Sequence, residues 1–446
     1  MTAGNTVSAA TGAVLRWLSG TDPLADPEVA ARARLLFLDT LGCMASGLGH
    51  PVPRALAARL GATDPGAVRL PGVADGLGTV TAAYVAALSA CWDEACEGLA
   101  RAHGRPGLHA FAPVLALGLV NRARLSDTLR AFVAGYEIAA RLGQVFRAPP
   151  GGHVDGTWGT FGAATAAAWL TAGNDERTRL AATAIDAAAC QMPVSLYLPV
   201  AAGSTARNTY AAHAASQGVF LAQGAQAGLA APGDALDELA ARQSDAGEPP
   251  SAVAAPGEWL ILQGYLKPFA AVRHVHYGAQ AALDWRTAHD PGSAAVTRLR
   301  LEIYPEALTY CGNRAPVLPL QAQFSLSYGL AFTLATGGLG PEAYGAEAMA
   351  DPEVRRLESL AELEAVEALG AGGKRAARLS VTRDGAETTA AVEALPGDPD
   401  RPLTQDQVHE KFLRYAAPTL GNKAERVAGS ILNGALNQEL PEVLAT

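Results

Sequence analysis

Through its first 265 residues the chain keeps one texture. Alanine and leucine dominate, and glycine or proline breaks the run at helix-like intervals. That texture commits most of the polypeptide to packed helices. After Ser126, read as an N-cap, Leu129, Phe132, Val133, Tyr136 and Ala140 share one helical face, and Pro149-Pro150 follows the end. Further helices are expected over about 30–46 and 80–92. No fixed repeat of about 30–45 residues recurs, which disfavours an α-solenoid. The texture changes after His276. Residues 295–303 and 377–383 alternate apolar and polar side chains and read as strands, whereas 324–336 and 353–369 read as helices. From Thr404 onward the pattern is helical again. The expected fold is therefore mainly α: a large, discontinuous all-helical domain (1–267 and 403–446) with a smaller α+β domain (268–402). Residues 232–256, rich in Gly, Pro, Asp and Glu, read as a surface excursion.

Composition narrows the function classes. With 49% hydrophobic and 17% charged residues over 446 positions, the chain suits a well-buried globular protein of about two cores with a large oligomer interface. A net charge of −9 and no basic stripe argue against nucleic acid as a partner. The five cysteines never form Cys-x-x-Cys, which points away from zinc ribbons and disulfide frameworks and toward a reducing compartment. No signal peptide is recognised at the N-terminus, and apolar runs such as 111–120 fall short of the roughly 20 residues a membrane span needs. A soluble, cytoplasmic protein without a membrane partner is expected.

The positive charge is almost all arginine. The first lysine is Lys267, and only Lys374, Lys411 and Lys423 follow. An ammonium kept in so arginine-rich a chain suits a position where hydration, shape or a tunable pKa matters. Arg273, His274 and His276 crowd the same ten-residue run, which makes it the leading place for chemistry.

Other segments carry weaker signals. Asp93, Glu94 and Glu97 close an apolar helix in the manner of a magnesium motif. The partner motif at 174–178 fails, because Ala182 stands where its closing acid would be, so no metal site is expected. Arg101–His109 is a loop dense in cations and turn formers, close enough for a carboxylate at 93–97 to orient a histidine. Gly151–Gly162 opens an alanine-rich helix with glycine at every third residue near its end, and His153 stands at its entry. The spacing is not that of a dinucleotide fingerprint. Gly203–Asn208 is a similar helix entry carrying Arg207, suited to hold a carboxylate. No Gly-x-Ser-x-Gly, His-Glu-x-x-His or Walker sequence occurs.

Taken in order, LLFLDTLGCMASGL (35–48), WDE (92–94), RPGLHAFAPVLAL (105–117), FVAGYEIAARLG (132–143), GTWGTFGAA (156–164), GSTAR (203–207), KPFAAVRHVH (267–276) and QAQFSLSYGLA (321–331) resemble the MmgE/PrpD family. That family includes 2-methylcitrate dehydratases, cis-aconitate decarboxylases and an iminodisuccinate epimerase. The resemblance implies an all-helical domain with an α+β lid, an active site in the cleft between them, a homodimer, and no metal or other cofactor. It also implies a small, anionic, carboxylate-bearing substrate that loses a proton next to a carboxylate. Asp93, His153, Lys267 and His276 match family positions, Tyr328 sits in the lid's Phe-Ser-x-x-Tyr segment, and His109 matches a histidine found in one branch. Two positions depart: Arg105 stands where many members have histidine, and Arg207 where many have lysine.

These residues suggest a cofactor-independent lyase that eliminates water. His109 or His276 would take the proton, Arg105, Arg207 and Lys267 would hold the enolate-like charge, and His153 or Tyr328 would assist the departing hydroxide. Asp93 completes the expected catalytic set, and Arg273 joins the substrate-binding arginines. Epimerisation or decarboxylation on the same scaffold remains open, as does a non-catalytic carboxylate-binding role.

Overall fold

A computed structural model of the chain describes residues 6–243, 252–289 and 295–445. Helices α1 (Pro27–Gly49), α2 (Thr79–Cys91), α3 (Pro106–Val120), α4 (Leu125–Val145), α5 (Gly159–Thr171), α6 (Arg177–Ala189) and α7 (Thr209–Gln226) form the main body. Asp26 caps α1 by accepting from the Glu28 and Val29 N–H groups at 2.9 and 3.3 Å, with Pro27 in the first helical position. The centre is α5, which packs against α3, α4, α6 and α7. Its small residues allow this. A Cβ on Gly162 would lie 2.6 Å from the Ala139 Cβ and 2.8 Å from the Gly135 carbonyl oxygen. The alanine-rich texture is thus the packing solution of closely crossing helices.

The crossing of α1 and α2 is tighter still. A Cβ on Gly47 would sit 2.0 Å from the Ser89 carbonyl oxygen, a backbone atom that cannot rotate away. Gly47→Ala should therefore force the two helices apart and destabilise the protein by about 1–3 kcal/mol. Urea denaturation checks this; an unchanged midpoint would mean the crossing is looser than described.

Helix α4 begins two residues earlier than a cap at Ser126 would place it. Ser126 does not cap it. The N–H groups of Leu125 and Ser126 donate instead to the carbonyls of Gln438 and Leu436 at 2.8 and 2.9 Å, so the C-terminal tail satisfies this helix start. The expected surface excursion lies partly outside the described residues (244–251). Within it, Ala235–Gln243 is a helix that buries Ala235, Leu236 and Ala240.

Beyond α8 (Arg273–Ala288) comes a four-stranded sheet of β1 (Val296–Ile303), β2 (Ala361–Ala365), β3 (Ala377–Arg383) and β4 (Ala386–Val392), in the order β2-β1-β3-β4. The pair β1/β2 is parallel, and β1/β3 and β3/β4 are antiparallel. Asp384-Gly385 turns between β3 and β4 with φ of +52° and +77°, as a two-residue hairpin requires. Helix α8 lies on β3 and β4, while α9 (Leu326–Thr336) packs on α8, and α10 (Pro352–Leu360) packs on α9. The helix expected over 353–369 stops at Leu360. Ala361–Ala365 continues as a strand, placing Glu362 and Glu364 beside Arg298 and Arg300 of β1 at 2.7 and 2.6 Å, and Glu367–Leu369 forms a short 3-10 turn. The architecture is mainly α with a smaller α+β part, as the change of texture implies.

The chain then returns. Thr404 and Gln407 form a capping box at the start of α11 (Gln405–Leu420), which packs on α1. Its Lys411 reaches a buried Asp39 carboxylate at 2.5 Å and the Ala95 carbonyl at 2.9 Å. Among the described residues no helix is long and apolar enough to cross a membrane.

Candidate active site

A cavity of about 790 Å³ opens where the loop after α2, the entries to α3 and α5, the turn at Thr205–Asn208 and the start of α8 converge. Six cationic side chains line it (Arg105, Arg147, Arg207, Lys267, Arg273 and Arg375) against three carboxylates (Glu94, Asp155 and Glu306). Such an excess within a net-acidic protein favours an anionic ligand.

Glu94 is the hub of the inner wall. It adopts a left-handed backbone at φ +53°, which turns its side chain back beneath the cations. One carboxylate oxygen accepts from Arg105 at 3.2 Å and from Arg207, and the other from the Lys267 ammonium at 2.9 Å. Lys267 also donates to the Glu94 carbonyl at 2.7 Å. Asp155 is the second counter-ion, paired with Arg105 and lying 3.8 Å from Arg207. Burial alone would raise both carboxyl pKa values. Arg105, Arg207 and Lys267 outweigh it at Glu94, and Arg105, His153 and Arg207 do so at Asp155, holding both well below the usual range. Burial pulls the Lys267 ammonium below its ordinary value, against the pull of Glu94. Backbone pairing fixes its segment: Tyr265 and Gly98 exchange N–H···O bonds, and Leu266 donates to Gly397 at 3.0 Å.

His153 faces the same cavity, with the Tyr197 ring stacked beside it at 6.1 Å. Its Nδ1 accepts from the Asp155 backbone N–H at 3.1 Å. Because that partner can only donate, the neutral imidazole carries its proton on Nε2. Burial pushes its pKa down to about 4, helped by Arg207 and Arg105 and resisted by Asp155. His274, a second imidazole on the wall, places Nδ1 2.7 Å from the Tyr304 hydroxyl and stacks on Tyr310. It too is pushed to about 4, by burial first and then by Arg375. A hydroxyl partner allows either tautomer, so His274 Nε2 can present a bare lone pair.

The structure thus brings together Arg105, His153, Arg207, Lys267 and Arg273 of the expected set, and Arg273 pairs with Asp398 over the Tyr265 ring. Four other candidates lie off the cavity wall. His109 is fully buried behind it: Nδ1–H donates to the Arg105 carbonyl at 2.9 Å and Nε2 accepts from Gly156 N–H at 3.2 Å, leaving no nitrogen for a substrate. His276 is equally buried, donating from Nε2 to the Ala271 carbonyl at 3.0 Å and packing against Phe269. Asp93 turns away to Ser46 at 2.6 Å and His50 at 2.8 Å. The Tyr328 hydroxyl donates to the Ala343 carbonyl.

Sequence reasoning singled out Glu94 in a carboxylate cluster and His274 in the Lys267 run without giving either a role in the site, and it missed Asp155. The available signal was a charge imbalance: three cations in one cleft require buried anions, and Glu94 and Asp155 adjoin positions already singled out. The magnesium-like reading of 93–97 dissolves here, because Asp93 faces His50, Glu94 faces the cations and Glu97 accepts from the Leu108 N–H at 3.1 Å.

Two domain families match the chain: the MmgE/PrpD N-terminal domain over residues 17–241 and the MmgE/PrpD C-terminal domain over 269–433. A search of the curated proteins finds no match. With both halves matched in order over most of its length, the chain belongs to the MmgE/PrpD family.

Proposed function

We propose that this protein is a lyase that removes water from a hydroxy acid bearing a carboxylate, using side chains alone. Family membership supports an enzyme of the dehydratase-like or a related kind. The observation that carries the reaction type is the forced Nε2–H tautomer of His153 beside a cluster of cations. The substrate carboxylate lies against Lys267 and Arg207, and its arrival raises the neighbouring imidazole pKa values toward neutrality. His274 Nε2 takes the proton α to that carboxylate, and the C–H electron pair becomes an enolate-like charge held by the cations. The β C–O bond then breaks. The departing hydroxide is steadied by His153 Nε2–H and leaves with the proton that His274 took, so one water is lost per turnover.

Solvent-deuterium exchange into hydroxy acids tests this directly. Exchange accompanied by loss of water is the expected result, and Lys267→Arg should reduce it by about 10²-fold, because a guanidinium cannot reproduce the compact ammonium between Glu94 and the ligand. His153 and His274 on one cavity also suit epimerisation, which would give exchange with inversion and no water loss. Measurable binding with no exchange at any carbon would reduce the protein to a carboxylate binder and sink the enzymatic reading.

A further inference from the structure

We propose that the cavity takes an elongated dianion whose second anionic group, a carboxylate or a phosphate, rests at a rim subsite formed by Arg147, Arg375 and His103. This rests on the carboxylate-binding reading above and extends it to the far end of the substrate.

The two ends of the cavity differ in charge compensation. At the inner end Arg105, Arg207 and Lys267 are bonded to Glu94 and Asp155. At the rim, Arg147 is exposed and has no ion pair among the described residues. Arg375 pairs with Glu306 at 3.0 Å and lies over the Tyr304 ring at 5.8 Å, which leaves part of its donor fork free. His103 shares that wall in a left-handed conformation at φ +53°, and its imidazole is depressed by burial and then by the Arg147 and Arg375 charges. Their shared place on the cavity wall, more exposed than the buried inner cations, puts the three groups at one mouth. They come from three separate stretches of chain: the turn before α3, the loop after α4 and the approach to β3.

Volume points the same way. Even at the liquid-water share of roughly 30 Å³ per heavy atom, a tricarboxylate of about 14 heavy atoms fills only about 420 Å³. The cavity offers about 790 Å³. Tyr265 and Tyr310 lie on the wall as well and provide apolar faces for a connecting chain.

Calorimetric titration with gluconate, glucarate and 6-phosphogluconate tests the rim on the intact protein. These share a six-carbon hydroxy-acid frame and differ in their far end: neutral, carboxylate or phosphate. At least one of glucarate and 6-phosphogluconate should bind about tenfold more tightly than gluconate, as one charge-assisted contact provides. The stronger of the two identifies the terminal group. Arg147→Gln, a change at an exposed position that the fold tolerates, should reduce that advantage to about twofold. Equal binding of all three acids would overturn the rim subsite while leaving the inner carboxylate site standing. An equal loss for gluconate in Arg147→Gln would also overturn it, since that reports a general field. If none of the three binds, and malate does not either, the carboxylate-binding reading itself fails.

Discussion

Glu94→Ala should lower the stability of the protein by about 3–5 kcal/mol, the loss expected when one partner of a buried ion cluster is removed. The carboxylate is 4% exposed and is the shared acceptor for Arg105, Arg207 and Lys267. Without it, three cations in a cavity wall have only Asp155 between them. Glu94→Gln keeps the shape and one acceptor oxygen, so its loss should be smaller. The readout is the urea midpoint at constant m-value. A loss under about 1 kcal/mol for the alanine variant would show that water or rearranged side chains already compensate the cluster. The same groups set the acid limb of stability. Glu94 and Asp155 have folded pKa values depressed below their unfolded values of about 4. The unfolded chain therefore binds these protons first as pH falls. Their contribution is complete above about pH 4 and drains away below it. His153 and His274, depressed to about 4 from an unfolded value near 6.5, contribute an earlier decline between those two values.

His153→Ala should reduce kcat by about 10²–10³-fold, the range for loss of one positioned hydrogen-bond donor to developing charge. Its Nδ1 is held by the Asp155 N–H, so the variant removes the Nε2–H donor while the counter-ion carboxylate remains. Binding of a carboxylate ligand should change far less than turnover, because the cations that hold it are untouched. A parallel fall in affinity would recast His153 as a binding group. In the wild-type enzyme the acid limb of kcat/KM should lie near pH 4 and not near 6.5, since His153 and His274 are neutral until then. A limb at the ordinary histidine value would contradict the burial that depresses them.

The helices were legible because their apolar faces recur at the helical period over long stretches, as with Leu129, Phe132, Val133 and Tyr136. Strand β2 was not. It follows α10 with no glycine or proline between Leu360 and Ala361, and its glutamates become strand-like only opposite Arg298 and Arg300. In the site, the cations could be read from the motifs that carry them. Which carboxylate pairs with which cation could not, because the Glu94–Arg207 and Glu94–Lys267 pairs join residues 113 and 173 positions apart. Which way an imidazole faces is likewise a three-dimensional fact. His109 stands in the first turn of α3, four residues after the carbonyl it binds, and His276 donates to a carbonyl five residues back. Both are neighbours of the chemistry in sequence and stand behind the cavity wall in space.

The contact from Lys411 to Asp39 and the Ala95 carbonyl has a consequence for how the protein comes into being. The loop that bears Glu94 emerges from the ribosome early, yet its brace belongs to one of the last helices made. At roughly 5–20 residues per second, the growing chain waits about 15–60 s between the two. Throughout that interval the loop bearing Glu94 lacks the Lys411 contact. A chain that stops before α11 therefore lacks the Lys411 contact to the Ala95 carbonyl, the residue next to Glu94.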